Sequence, residues 1–309
     1  GFLFSSIVFM KKIKAIWELM RLEHGIMLAL GIFIGSIITL QTTSGLTLSD
    51  FPIDKFVLTF FVALFLEAST FALNDYFDLP IDKANKRKDR PLAREDIDPK
   101  AAVIIFILFF PLGIIFSYFV NTTCFIIALI TALFAIFYDV FLKKIKLLSN
   151  FYIAYVMAIP FVFGSAAVQS SESVLQTLDP AVIIIALIAF LAGSGREIMK
   201  DVMDFAGDTK QGVKSFPKYI GIPWSKRIAS LFYLAAVGLS ILPFIQPVYT
   251  VYYYNYVYLS IVLLTDVLLV FTSAQLLAKK DMDMPKYRKI TLLAIFLGLL
   301  SFFLGAFIG

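Results

Sequence analysis

The chain has 309 residues, 60% of them hydrophobic and only 16% charged, against roughly 45–50% apolar and about 25% charged in soluble globular proteins. A mean hydropathy of +0.87 excludes a soluble enzyme, a disordered chain and a secreted disulfide scaffold, and the single cysteine, Cys124, cannot form an internal disulfide. The formal net charge of +5 would suit nucleic acid in a soluble protein, but in so apolar a chain it marks the loops that face the cytoplasm, and no nucleic-acid partner is expected.

The first residues, Phe2 to Met10, are apolar and precede Lys11, Lys12 and Lys14. A signal peptide has the reverse order, so no cleaved signal is expected. Residues 1–9 are set aside as an upstream or non-native extension of a single domain over 10–309. Around Trp17, between Lys14 and Arg21, the pattern reads as an interfacial amphipathic helix. Apolar runs of spanning length then follow at about 16–40, 56–80, 101–120, 122–142, 150–169, 180–200, 226–246, 253–277 and 289–308. Runs such as Ala181 to Ile188 do not alternate, so helices rather than a β-barrel are predicted. The fold class is an all-α membrane protein of nine transmembrane helices.

Every Lys and Arg except Lys55 falls in the N-terminal segment, at the end of an even-numbered span or in the loop after one. The positive-inside rule therefore puts the N-terminus in the cytoplasm and the C-terminus outside, in a multi-pass protein of the cell membrane.

Two of these cytoplasmic helix ends are acidic in a patterned way. Span two ends with Asn74, Asp75, Asp78 and Asp82, which at ~100° per residue share about 100° of helix face. Span six ends with Glu197, Asp201, Asp204 and Asp208, at i, i+4, i+7 and i+11, within an arc of about 60°. Both rows lie at helix C-termini, where the macrodipole disfavours anions, and like charges at membrane depth repel and are costly. A divalent cation resolves the conflict. Oxygen donors without a His or Cys cluster select Mg2+, which binds a few carboxylates together with substrate phosphate. The candidate metal ligands are Asn74, Asp75, Asp78, Asp82, Asp201, Asp204 and Asp208. Nearby cations suit a diphosphate; Arg90 beside Pro91, with Lys143 and Lys144 after span four, are the candidates. The other loop cations set topology.

These residues resemble a known family. Asn74 to Asp82 matches the NDxxDxxxD signature of the UbiA superfamily of intramembrane prenyltransferases, and Asp201 to Asp208, with Gly212, is similar to its second aspartate motif. Tyr138 to Lys144, with Asn150, resembles the family's tyrosine-plus-basic element. The resemblance runs over residues 15–308 and includes the nine helices. It implies a bundle around a central cavity in which the two motifs face each other. Helices one to four and five to eight would form pseudo-equivalent halves, about 15–146 and 150–280, with a ninth helix in addition. It also implies transfer of a polyprenyl group from an allylic diphosphate, for example geranylgeranyl diphosphate, to a lipophilic acceptor. Asn74 and Asp78 with Asp204 and Asp208 would then hold Mg2+, with Asp82 and Asp201 in support. Asp78, Asp82, Asp201, Asp204, Asp208 and Tyr138 are the expected catalytic residues. Arg21, Arg90, Lys143 and Lys144 are the expected diphosphate ligands. Glu197 to Asp208 resembles the branch that prenylates geranylgeranylglyceryl phosphate. The first motif fits that branch less well, which leaves an aromatic quinone precursor open as acceptor.

Several residues carry two readings. Tyr138 offers a ring face to an allylic cation or anchors the helix at the interface. Arg21 grips diphosphate or snorkels. His24, the only histidine, is a base or a structural residue. Glu67, in span two, is placed to touch an acceptor; Asp266, in span eight, shows no partner. Gly193, Ser194 and Gly195 permit close helix contact or a bend. Two rival functions are weighed. A secondary transporter or cation channel would use the acids as an ion path, but transporters place such sites near the midplane. A CDP-alcohol phosphotransferase would need DG and AR elements that the chain lacks.

Overall fold

A computed structural model describes residues 2–44, 52–84, 86–169, 178–210, 212–279 and 283–308, apart from the side chains of 2–8, 44, 144, 146, 207 and 208. With no water to satisfy a backbone in hydrocarbon, helices carry their own hydrogen bonds across it. The helices are α1 (Phe2–Met20), α2 (Leu22–Ser44), α3 (Ile53–Ala84), α4 (Lys100–Val120), α5 (Thr122–Val140) and α6 (Lys146–Val168). They continue with α7 (Pro180–Lys210), α8 (Phe216–Ser240), α9 (Leu242–Ile245), α10 (Tyr256–Ala278) and α11 (Met284–Phe307). Among the described residues nine segments are long and apolar enough to cross a membrane. They correspond one for one to the nine predicted runs.

The differences lie at the ends. Hydropathy stops at the first charges, whereas the helix stops where its backbone bonds stop. So α3 runs through Pro80 to Ala84, and α7 continues to Lys210. Both acidic rows are thus helical along their length, which keeps the face argument valid. The first span is divided: α1 and α2 meet at Arg21, whose φ of 45° is rare for a non-glycine residue.

The chain forms two compact units, Gly1–Phe33 with Pro52–Val140 and Ile34–Phe51 with Phe141–Gly309. In the first, α3 packs against α4, α5 and α1. Phe61, Phe65, Phe109 and Phe116 stack between α3 and α4, with centroids 5.2–5.8 Å apart. A side chain at Gly113 would come within 2.7 Å of Leu66, so the two helices approach backbone to side chain there. In the second unit α7 packs against α6, α8 and α11, and α10 against α8 and α11. Gly195 makes the close contact expected of it: a Cβ there would meet the Tyr233 ring at 2.9 Å and the Ala229 carbonyl at 3.0 Å. Asp266 has a partner after all, since Ser240 Oγ donates to it at 2.8 Å. The pair lies 26 residues apart, too far for helix spacing to reveal.

Candidate metal and diphosphate site

Burial along the end of α3 is inverted relative to a soluble helix. Asp75 and Asp82 are 1% and 6% exposed, while Tyr76, Phe77 and Ile81 between them are 40–54% exposed. The acids point into protein and the apolar residues point out, as lipid-facing helices require. Asn74 Nδ2 donates to Asp139 Oδ1 at 2.6 Å, tying α3 to α5. Asp139 is buried and was not expected in the site. Its place directly after Tyr138, one helical face away from the apolar lipid side, is the signal that could have found it.

Asp75 is met by two arginines. Its Oδ1 accepts from Arg21 Nη2 at 2.5 Å and Arg90 Nη1 at 3.2 Å, and its Oδ2 is buried without a hydrogen-bond partner. Arg90 Nε also lies 3.8 Å from Asp82. The Arg21 guanidinium sits 4.4 Å from the centre of the Phe71 ring, so it is turned inward rather than snorkelling. His24 packs edge-on to the same ring at 5.1 Å, a structural contact. Asp78 is half-buried on the same face.

The loop after α3 separates its cations into two kinds. Lys83 pairs with Glu95 at 2.6 Å, Arg87 with Asp89 at 2.6 Å, and Arg94 with Asp96 at 2.7 Å and with Glu18 of α1. Lys11 adds a second bridge from α1 to Asp96 at 2.9 Å. The hydrogen bond from Arg87 holds the Asp89 carboxyl down to about 2, and those from Lys11 and Arg94 hold Asp96 below the usual carboxylate range. These pairs shape the loop and dock α1. Arg90 instead turns back to the acids of α3, 3.2 Å from Asp75 and 3.8 Å from Asp82. At the far end of α5, Tyr138 and Lys143 are half-buried.

The second row is uneven. Glu197 is buried and its carboxylate accepts from Lys200 at 2.6 and 2.9 Å. Asp201, 2% exposed, accepts from Asn150 Nδ2 at 2.9 Å and from the Phe216 backbone N–H at 3.1 Å, both on Oδ2. It therefore ties the start of α6 and the start of α8 to α7. Asp204 is exposed. Two expected residues, Lys144 and Asp208, have side chains outside the described residues.

The donor set is all oxygen, with no cysteine or histidine among the acids, and fits a hard divalent cation. Among the described residues no three His, Cys, Asp or Glu side chains converge closely enough to hold a metal by themselves.

Residues 32–300 match the model of the UbiA prenyltransferase family. The chain belongs to that family. A digeranylgeranylglyceryl phosphate synthase of Archaeoglobus fulgidus is 40% identical over 297 residues, 96% of each chain. A solved structure of a digeranylgeranylglyceryl phosphate synthase in membranes matches with a TM-score of 0.80 at 33% identity, over 96% of this chain and 98% of that one. A UbiA homologue from Archaeoglobus fulgidus bound to DMAPP and Mg2+ shares the fold, with a TM-score of 0.57 at 17% identity over 93% of this chain and 98% of that one. This UbiA member is an integral multi-pass membrane protein and a prenyltransferase.

Proposed function

We propose that the chain transfers a geranylgeranyl group from geranylgeranyl diphosphate to the free hydroxyl of geranylgeranylglyceryl phosphate, releasing diphosphate. The observation that carries this reading is the 40% identity, across 96% of both chains, to a digeranylgeranylglyceryl phosphate synthase. It favours the glycerol-phosphate acceptor over the aromatic one.

The reaction breaks the allylic C–O bond, the electron pair leaving with diphosphate, and forms an ether C–O bond as the acceptor hydroxyl loses its proton. Asn74 and Asp78 with Asp204 and Asp208 would hold Mg2+, Asp82 and Asp201 supporting them. When bound, Mg2+ neutralises negative charge on the leaving diphosphate. Arg21, Arg90, Lys143 and Lys144 supply further charge to the same oxygens, a stabilisation that grows as the bond breaks. Asp201 acts by fixing where α7 sits, as its two hydrogen bonds allow. Tyr138 offers its ring to the allylic cation, worth ~0.5–2 kcal/mol, and apolar walls keep water from that cation. The halves about 15–146 and 150–280 each contribute one acidic row. With the basic loops inside, the N-terminus and the reaction lie at the cytoplasmic face of the cell membrane and the C-terminus outside.

The test is mass spectrometry of products formed by the purified protein with Mg2+, geranylgeranyl diphosphate and a panel of acceptors. Digeranylgeranylglyceryl phosphate is the expected product. Prenylated hydroxybenzoate or naphthoate in its place would overturn the acceptor assignment.

A further inference from the structure

Asp75 sits in the middle of the first acidic row, yet its contacts are those of an anchor for arginines. Two guanidinium groups share its Oδ1, from Arg21 at 2.5 Å and Arg90 at 3.2 Å. They arrive from different parts of the chain. Arg21 stands at the α1–α2 junction, with a left-handed backbone, and Arg90 comes from the loop after α3. The carboxylate between them is 1% exposed, while the arginine side chains keep 16% and 19% of their surface. Solvent, or a ligand, thus reaches the cations but not the acid that holds them.

We infer that Asp75 is a positioning residue: it takes no metal, and instead holds Arg21 and Arg90 side by side as a two-pronged receptor for the diphosphate group. Two guanidinium groups repel one another, and a buried carboxylate shared between them cancels that repulsion at close range. Each guanidinium presents five N–H donors in a fixed plane. One N–H from each contacts Asp75, so most of both forks remains for an anion. Arg21 is further fixed against the Phe71 ring at 4.4 Å, and Arg90 by Asp82 and Asp89, each 3.8 Å from its Nε. Preorganised forks bind a phosphate without first losing side-chain freedom. Asp78, one turn further along α3, is left as the metal-facing acid of the row.

This inference rests on the prenyl-transfer reading and is tested separately from it. Calorimetry of the purified full chain with inorganic diphosphate, with and without Mg2+, is done for the unaltered protein, Asp75→Asn, Arg21→Lys, Arg90→Lys and Asp75→Asn with Arg21→Lys. Removing an orienting partner weakens Mg2+-free diphosphate binding by about 10- to 100-fold in Asp75→Asn and leaves the Mg2+ concentration for half-maximal enhancement within about twofold. The double variant binds no more weakly than the weaker single one, because both changes undo the same clamp. Arg21→Lys and Arg90→Lys leave the carboxylate in place, and each must also weaken binding; if Asp75→Asn does not fold, Asp75→Glu, which keeps the charge but moves its oxygens, must weaken Mg2+-free binding and keep the Mg2+ response, and unchanged binding there overturns the inference. Unchanged Mg2+-free diphosphate affinity in Asp75→Asn, or loss of the Mg2+ enhancement in that variant, overturns the inference. Retained diphosphate binding without any geranylgeranyl transfer would count against the function and leave the clamp standing.

Discussion

Tyr138 illustrates what a single position decides. It follows Phe137, which is 47% exposed, and precedes Asp139, which is 8% exposed and receives the Asn74 amide. The ring therefore sits at the edge between lipid and the acidic interior. A face-on contact with an allylic cation acts only once charge develops, so Tyr138→Leu should lower kcat by about two- to thirtyfold, with KM for geranylgeranyl diphosphate nearly unchanged. Steady-state kinetics with geranylgeranylglyceryl phosphate measures this. An unaltered kcat would reduce Tyr138 to an interfacial anchor. The same neighbourhood shows where sequence reasoning ran out. Spacing reveals which side chains share a face, but not what that face meets. Asn74 and Asp139 are 65 residues apart, and Arg21 and Asp75 54. No periodicity within one helix links such pairs.

Helix ends in this protein are held by shared acceptors. Asp201 is a hydrogen-bond acceptor for two elements at once, Asn150 on α6 and the N–H of Phe216 at the first turn of α8. Without its carboxylate both donors are buried and unpaired, at about 1–3 kcal/mol each. Asp201→Ala should lower the unfolding temperature in detergent more than Asn150→Ala, which removes one donor and leaves the Phe216 contact. Thermal unfolding followed by circular dichroism compares them. Equal or smaller loss in Asp201→Ala would contradict the tie. Both acidic helices outlast their hydropathy, through Pro80 in α3 and to Lys210 in α7, because charged side chains end an apolar run without ending a hydrogen-bonded helix. The break at Arg21 was likewise invisible, since no Gly or Pro marks it and a positive φ at arginine has no compositional signature.

For the whole molecule, composition sufficed for the class and the number of spans. About 20 apolar residues are needed to cross hydrocarbon, and nine runs of that length are hard to mistake in a chain that is 60% hydrophobic. The two acidic rows were legible for a similar reason: seven Asp or Glu at helical spacing cannot belong to an ordinary lipid-facing surface. Acceptor choice was not legible, because it depends on contacts with a lipid that leave no spacing pattern; the glycerol-phosphate acceptor proposed above rests on the 40% identical relative instead. If rows from two distant stretches of chain act on one diphosphate through Mg2+, as proposed, loss of either row removes the effect of the metal. Binding of geranylgeranyl diphosphate, measured with and without Mg2+ in the unaltered protein, Asp78→Ala and Asp204→Ala, tests it most directly. Mg2+ should enhance binding to the unaltered protein and to neither variant; enhancement that survives in Asp78→Ala or Asp204→Ala would show that the two rows do not share the metal.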